Sequence, residues 1–407
     1  MNQSVNQPTI RLGPLAGLRV IELASEFAAA AGKMLGDLGA EVVLVEPPGG
    51  HHTRAYEPFL DDEPGRERSL WWWHYNTSKL GVTLDLDDPE DVERLRTLIN
   101  TADFVLEAET PGRLHALGID YEDVQAACPE LIWTSVTQFG RNRERSKENA
   151  TDLTILAEGG PAWSCGYDDH SIPPIRGGGN QGDHTAALGA VEGILAALLW
   201  RDTSGRGQHV DVSMHAAANV TTEAATYEYL VAGKTVQRMT GRHAAVYPSM
   251  PTHALGTDGR YVNTGVPARS AKEFQGLLDL LDELGLRDSF EEAFFLEEGI
   301  KRGSISFADI FEDPEVMAMF GAGRNAICLI AEKLPSLEFF TRMQDVGISC
   351  GVIYSPEEVL FDPHFVDRGF PVEVYHDDLD RNVVYPGAPF KSSVSPWQIS
   401  SRAPHRG

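Results

Sequence analysis

The stretch from Gly177 to Ala190, GGGNQGDHTAALGA, sets three glycines, two amides and a fourth glycine ahead of a single carboxylate, Asp183. Glycine lets a ligand come close to the main chain. A lone acid at the end of such a loop is placed to act as a nucleophile. The backbone N–H groups of Gly177, Gly178, Gly179 and Gly182 could then stabilise charge that develops on a neighbouring oxygen. Aspartate is also among the preferred helix N-caps, worth about 1 kcal/mol, and a long apolar pattern follows it directly. On spacing alone the cap is the plainer reading, and the two roles can coexist. A helix N-terminus beside Asp183 predicts an ionised carboxylate.

The elements that must hold this loop read as α/β. LRVIELA (18–24) is a buried-strand pattern, EFAAAAGKMLGDLG (26–39) a small-residue helix ended by glycine, and EVVLVEP (41–47) a second strand, together one βαβ unit. GVTLDL (81–86), DFVLEA (103–108) and LIWTSVTQF (131–139) are further strands, and Asp88-Pro89 opens a helix over 89–102. An open sheet is expected across roughly the first 200 residues. After Asp183 the residues Leu188, Val191, Ile194, Leu195, Leu198 and Leu199 predict one wide apolar helix face. TSGRGQHVDVSM (203–214) is a glycine turn into a strand, and DGRYVNTG (258–265) opens a smaller, different unit.

Composition narrows the function classes. The chain has 407 residues and a formal net charge of −26. That length suggests two domains, and that charge argues against nucleic acid, which needs a basic face. No run of about 18 apolar residues predicts a membrane span. The polar start, MNQSVNQPTIRLGPL, has no apolar signal core. Cys128, Cys165, Cys328 and Cys350 form no CxxC pair, which argues against a disulfide framework and a structural zinc site and fits a reducing cytoplasm. The turn after Leu23 carries no GxGxxG and no Walker loop occurs, so an NAD enzyme is disfavoured.

Taken in order, PLAGLRVIEL, LGDLGAEVVLVEPPGG, NTSKLGVTLDL, LGIDYEDVQAACPELIWTSV, GILAALLWRDTSGRGQHVDVSM, DGRYV, GISCGVIYSPEEVLFDPHFVDRGFPVEV and YPGAPFK resemble the family III CoA-transferases, also called the CaiB/BaiF family. The resemblance runs from residue 14 to about 391. It implies a Rossmann-like large domain built from both chain ends, a small α+β domain inserted between them, and two copies interlocked as a homodimer. The chain is expected to divide as 1–225, 226–330 and 331–407. The implied activity moves CoA between an acyl-CoA thioester and a free carboxylic acid, through a mixed anhydride and a CoA thioester formed on Asp183. Coenzyme A is then a substrate, with no metal and no NAD.

The resemblance also nominates site residues. Asp152 aligns with an aspartate beside the active site. Gln138 replaces a glycine of the family pattern; its amide could contact an acyl carboxylate or an oxyanion, and a plain polar strand-end residue is an equally good reading. Gly178, Gly179 and Gly182 could donate to the oxyanion. Arg54, Asn76, Lys79, Leu84, Ala108 and Arg113 fall at CoA-binding positions. Several basic positions of the family pattern are altered here, to Pro47, Asp87 and Ala116, and an Asn position is Ala108. GRNRERSK (140–147) is a second local basic cluster. The aromatic run WWWHY (71–75) reads as core and dimer packing, with one ring available to cover an acyl group. A racemase or isomerase of the same fold is the alternative. It is disfavoured because Thr151 stands where racemases carry a histidine base, and Leu255 where they carry a glutamate. A non-catalytic paralogue or silent subunit is the third reading.

Overall fold

The computed structural model describes residues 12–407. Its contacts divide the described chain into two units. The first comprises residues 12–163, Ile175–Thr226 and Asp362–Gly407, and the second Ser164–Pro174 and Tyr227–Phe361.

The first unit is built on a six-stranded sheet of β1 (Arg19–Leu23), β2 (Glu41–Glu46), β3 (Lys79–Thr83), β4 (Phe104–Glu107), β5 (Ile132–Thr137) and β6 (His209–Ser213). The order is β3-β2-β1-β4-β5-β6 and every pairing is parallel. This is the doubly wound Rossmann order. Side chains alternate between the two faces, and both faces are covered. Val20, Val42, Phe104 and Ile132 share one core cluster. Ile21, Val43, Val105 and Trp133 share another with Val92, Leu95 and Ile99 of the helix over Pro89–Ile99.

Helices α1 (Ala29–Asp37), α2 (Leu70–Tyr75) and α3 (Pro89–Ile99) lie in the first half of the unit. The short helices α4 (Arg113–Ala116), α5 (Tyr121–Val124) and α6 (Asp152–Gly159) follow, and then α7 (Gln181–Ser204), with 24 residues. Because α7 leads straight into β6, it runs antiparallel to the strands. Its first turn therefore stands at their carboxyl ends, where open α/β sheets bind ligands. The link needs glycine: a Cβ on Gly207 would lie 2.0 Å from the Leu131 carbonyl oxygen.

The inward face of α7 matches the expected one in part: Val191 and Ile194 are buried, and Leu195 and Leu198 pack half-buried against the same core. Ala186, Ala187, Ala190, Val191, Ile194 and Ala197 are buried, whereas Leu188 and Leu199 are 53% and 71% exposed. Four buried alanines let the helix approach the sheet closely, and Leu188 and Leu199 turn outward together with Trp200.

The C-terminal segment pairs β12 (Pro371–His376) with β13 (Arg381–Pro386). Val374, Tyr385 and Ala403 close a core with Leu44, Trp72 and Trp73. In the second unit, the hairpin β7–β8 (Gln237–Met239, Arg242–Ala245) precedes a three-stranded sheet of β9 (His253–Leu255), β10 (Tyr261–Asn263) and β11 (Gly351–Val352). Its helices share a core of Phe274, Leu277, Leu281, Ile327, Phe339 and Met343. Since β11 pairs antiparallel with β10, residues 331–361 belong to this unit. The breaks expected at 225/226 and 330/331 compare with 226/227 and 361/362.

Candidate active site

Asp183 is not the cap of α7. It is the third residue of the helix, 4% exposed, and the residue at the cap position, Asn180, makes no side-chain cap hydrogen bond. Asp152, the first residue of α6, does the capping. Its Oδ1 accepts the Gly182 N–H at 2.6 Å and the Asp183 N–H at 3.4 Å. Its Oδ2 takes Nη1 of Arg176 at 3.0 Å. The Gly182 amide is thus already engaged and is not free for an oxyanion, which corrects its expected part. The amides of Gly178 and Gly179 donate to no backbone acceptor among the described residues, and a Cβ at either position would meet nothing within 4 Å. Gly179 holds φ +77°, a conformation side-chain-bearing residues rarely adopt.

Asp183 Oδ1 is buried without a hydrogen-bond partner. Burial, then the charges of Asp152 and Glu26, push its carboxyl up to about 7, opposed by Arg176. The expectation of a carboxylate kept firmly ionised by the helix end fails here. Desolvation and two neighbouring acids outweigh a terminus whose first amides are spent on Asp152. A carboxyl of this kind is more basic, and hence more nucleophilic, than an ordinary aspartate.

Aromatic rings run up to this carboxyl. His52, Tyr56, Trp71, Tyr75 and His184 follow one another with centroid separations of 5.6, 5.4, 4.6 and 5.6 Å. Tyr56 donates to Glu26 at 2.8 Å, and the Tyr75 hydroxyl lies 2.7 Å from His184 Nε2. Asp183 acts on both phenols, adding to the burial that drives the Tyr75 hydroxyl up to about 12 and raises Tyr56 further. The WWWHY run is thereby split. Trp72 and Trp73 are core, whereas Trp71 and Tyr75 join the rings beside Asp183. Glu26, Tyr56 and Arg176 are site residues that motif reading missed. For Glu26 the signal was position alone, just past the carboxyl end of β1; Tyr56, beyond a helical turn after β2, and Arg176, at the start of the glycine loop, carried none.

The nominated CoA positions are mostly spoken for. Arg54 is fully buried. It donates to Glu46 at 2.6 and 2.7 Å, to Glu67 at 3.1 Å and to the Pro404 carbonyl, and its guanidinium stacks 3.9 Å over Trp72. Lys79, also buried, donates to Glu22 at 2.8 Å, to Asn76 Oδ1 at 2.9 Å and to the Ala29 carbonyl. These three residues brace the sheet in this structure, and none presents a charge to solvent. Leu84 is buried, Ala108 is half-buried after β4, and Arg113 is exposed and paired with Glu109. Gln138 follows β5, half-buried, with its carbonyl accepting the His215 amide. In the 140–147 loop, Arg141 is buried against Asp120 and Glu107, and Arg145 pairs with Glu148 and Glu158. Exposed cations are instead Arg66 at the Gly49–Gly50 turn, Arg143 and Lys147. Thr151 caps α6 through its hydroxyl, a structural use that leaves no base at that position.

Among the described residues no helix is long and apolar enough to cross a membrane. The family described as CoA-transferase family III matches residues 15–407. Succinyl-CoA:(R)-benzylsuccinate CoA-transferase subunit BbsE of Thauera aromatica is 27% identical over 395 residues, covering 96% of this chain and 90% of that protein. Succinate–glutarate CoA-transferase of Agrobacterium fabrum is 29% identical over 411 residues, covering 98% and 94%. The crystal structure of a CaiB/BaiF family protein from Brucella suis superimposes with a TM-score of 0.77 at 25% identity, covering 97% of each chain. With its parallel six-stranded α/β fold and this match across nearly its whole length, the chain belongs to CoA-transferase family III.

Proposed function

We propose that this CoA-transferase exchanges CoA between an acyl-CoA thioester and a free carboxylic acid with Asp183 as nucleophile. The observation that carries the reading is the Asp183 carboxyl itself: nearly enclosed, unpartnered at Oδ1, raised in basicity, and next to a loop with two uncommitted glycine amides. Asp183 attacks the thioester carbonyl. The C–S bond breaks, CoA leaves as a thiolate, and an aspartyl–acyl anhydride remains. The thiolate attacks the aspartyl carbonyl and releases the donor acid, leaving an aspartyl CoA thioester. The acceptor carboxylate repeats the two steps in reverse and frees Asp183. No net proton is consumed. Each tetrahedral stage carries an oxyanion, and removing one donor to such a group typically costs ~2.7–4 kcal/mol. We assign that task to Gly178 and Gly179, and contact with the acyl group to Gln138 and the Trp71 and Tyr75 rings.

The names of the two relatives direct the first assay to succinyl-CoA, with glutarate and (R)-benzylsuccinate as acceptors. Asp183→Ala is expected to abolish exchange of labelled acid with acyl-CoA and to leave no acyl-enzyme for hydroxylamine to cleave. Full exchange in that variant refutes the mechanism. For the CoA phosphates we favour the exposed Arg66, Arg143 and Lys147, with Arg113, over the enclosed Arg54 and Lys79. We further propose a homodimer of interlocked chains. The exposed Leu188, Leu199 and Trp200 of α7 supply apolar surface that a second copy would cover. A second reading, one subunit of a heteromeric transferase, draws on the word subunit in the Thauera relative's name. Turnover by the purified chain alone rejects it.

A further inference from the structure

We propose that Arg176, acting through Asp152, positions the 177–182 loop and the Asp183 carboxylate for acyl transfer, an inference that rests on Asp183 being the nucleophile. Nη1 of Arg176 donates to Asp152 Oδ2 at 3.0 Å, to the Gly177 carbonyl at 3.3 Å and to the Gly179 carbonyl. The other oxygen of Asp152 receives the Gly182 and Asp183 amides. One carboxylate from α6 therefore ties the cation of the glycine loop to the first turn of α7, across a chain separation of 30 residues. The loop has no side chains of its own from 177 to 179 with which to pack. Its conformation depends on what grips its carbonyls, and Arg176 grips two of them. If the loop loosens, the Gly178 and Gly179 amides lose their place relative to the nucleophile.

The same pair sets the charge around the nucleophile. Asp183 is faced by Asp152 from α6, Glu26 from the segment after β1, Tyr56 and Tyr75 from the ring cluster, and Arg176 from its own loop. His184, beside it in α7, is engaged by Tyr75. Arg176 is the cation of that set. Neutralising it leaves two acids unopposed, whereas neutralising Asp152 removes one of them. The two variants must therefore displace the acid limb of the rate profile in opposite directions, which damage to packing alone does not produce.

The test is kcat and KM against pH for Arg176→Gln, Arg176→Lys and Asp152→Asn, read by exchange of labelled succinate with succinyl-CoA. Arg176→Gln is expected to lower kcat roughly 10²-fold, the scale of a small misplacement of reacting groups, with KM for acyl-CoA little changed and the acid limb moved to higher pH. Asp152→Asn moves the limb to lower pH while its amide oxygen still accepts from Gly182. Arg176→Lys restores the limb and part of kcat. Should Arg176→Gln be too poorly folded to assay, the Asp152→Asn shift and the lysine variant decide. Unmoved limbs, or both limbs moving the same way, overturn the positioning role. Exchange surviving in Asp183→Ala overturns the nucleophile reading instead.

Discussion

Asp183→Asn is expected to make the protein inactive and more stable at once, with a stability gain that grows with pH. An aspartate ordinarily ionises near 3.8, and in the fold Asp183 holds its proton up to about 7. Between those values the folded chain binds more protons at this site than the unfolded chain, so stability falls as pH rises through the window. Below the lower value both states are protonated and there is no penalty. Above the upper value the penalty is complete: about three pKa units at 1.36 kcal/mol each, or up to ~4 kcal/mol. Asparagine is neutral throughout and can donate to the oxygens of Asp152 or Glu26. The stability gap between variant and parent should widen from about 2 kcal/mol at about pH 5.5 to about 4 kcal/mol at about pH 8. Urea unfolding followed by tryptophan fluorescence measures it, since Trp72 and Trp73 lie in the core of the first unit. Turnover should drop by about 10⁴-fold or more, as for other removed nucleophiles. Parallel stability curves for the two proteins across that range would refute the reasoning, because they would mean that the carboxyl is not desolvated.

Three further outcomes follow from the same geometry. Glu26→Gln removes one of the acids facing Asp183, so the acid limb of kcat should move to lower pH while the glutamine oxygen still accepts from Tyr56; a pH–rate profile checks it. Arg54→Met strands Glu46, 2% exposed, and should cost about 3–5 kcal/mol, as loss of one partner of a buried pair does. Thermal melts should show that loss, and adding Glu46→Gln should recover part of it. Leu199→Asp should shift the protein towards monomer in light scattering while leaving its circular dichroism unchanged, since the side chain is already exposed in a single chain.

Much of the sheet was legible because β1, β2, β4 and β5 are buried on both faces and rich in apolar and β-branched residues. The glycine loop announced Asp183 for a local reason, an acid among residues without side chains. What escaped was set by contacts distant in sequence. Nothing local links Asp152 to Gly182, or Arg54 to Pro404, which are 30 and 350 residues apart. Motif matching read Arg54, Asn76 and Lys79 as ligand contacts, whereas in the fold Arg54 turns onto Glu46, Lys79 onto Glu22, and the Asn76 amide onto Lys79 and the Trp72 carbonyl. Periodicity placed Val191, Ile194, Leu195 and Leu198 of α7 on the inward face, but it also put Leu188 and Leu199 there, where alanines pack instead. The ionisation of Asp183 was misread for the same reason: a helix end is visible in sequence, whereas Glu26 and Asp152 standing beside it are not.

The return of residues 398–404 to the first hundred also bears on biosynthesis. Gln398 bonds the Asp37 carbonyl, Ser400 and Ser401 bond Ser78, and Pro404 receives both Arg54 and Trp72. On a ribosome, the strands of the large sheet emerge long before these partners, and the intervening 135 residues from Tyr227 to Phe361 can finish their own core first. Arg54 and Glu46 therefore wait, incompletely screened, until Pro404 has been made. Slow elongation between Phe361 and Pro404 would prolong the interval in which Trp72 and Trp73 are available to chaperones or to aggregation.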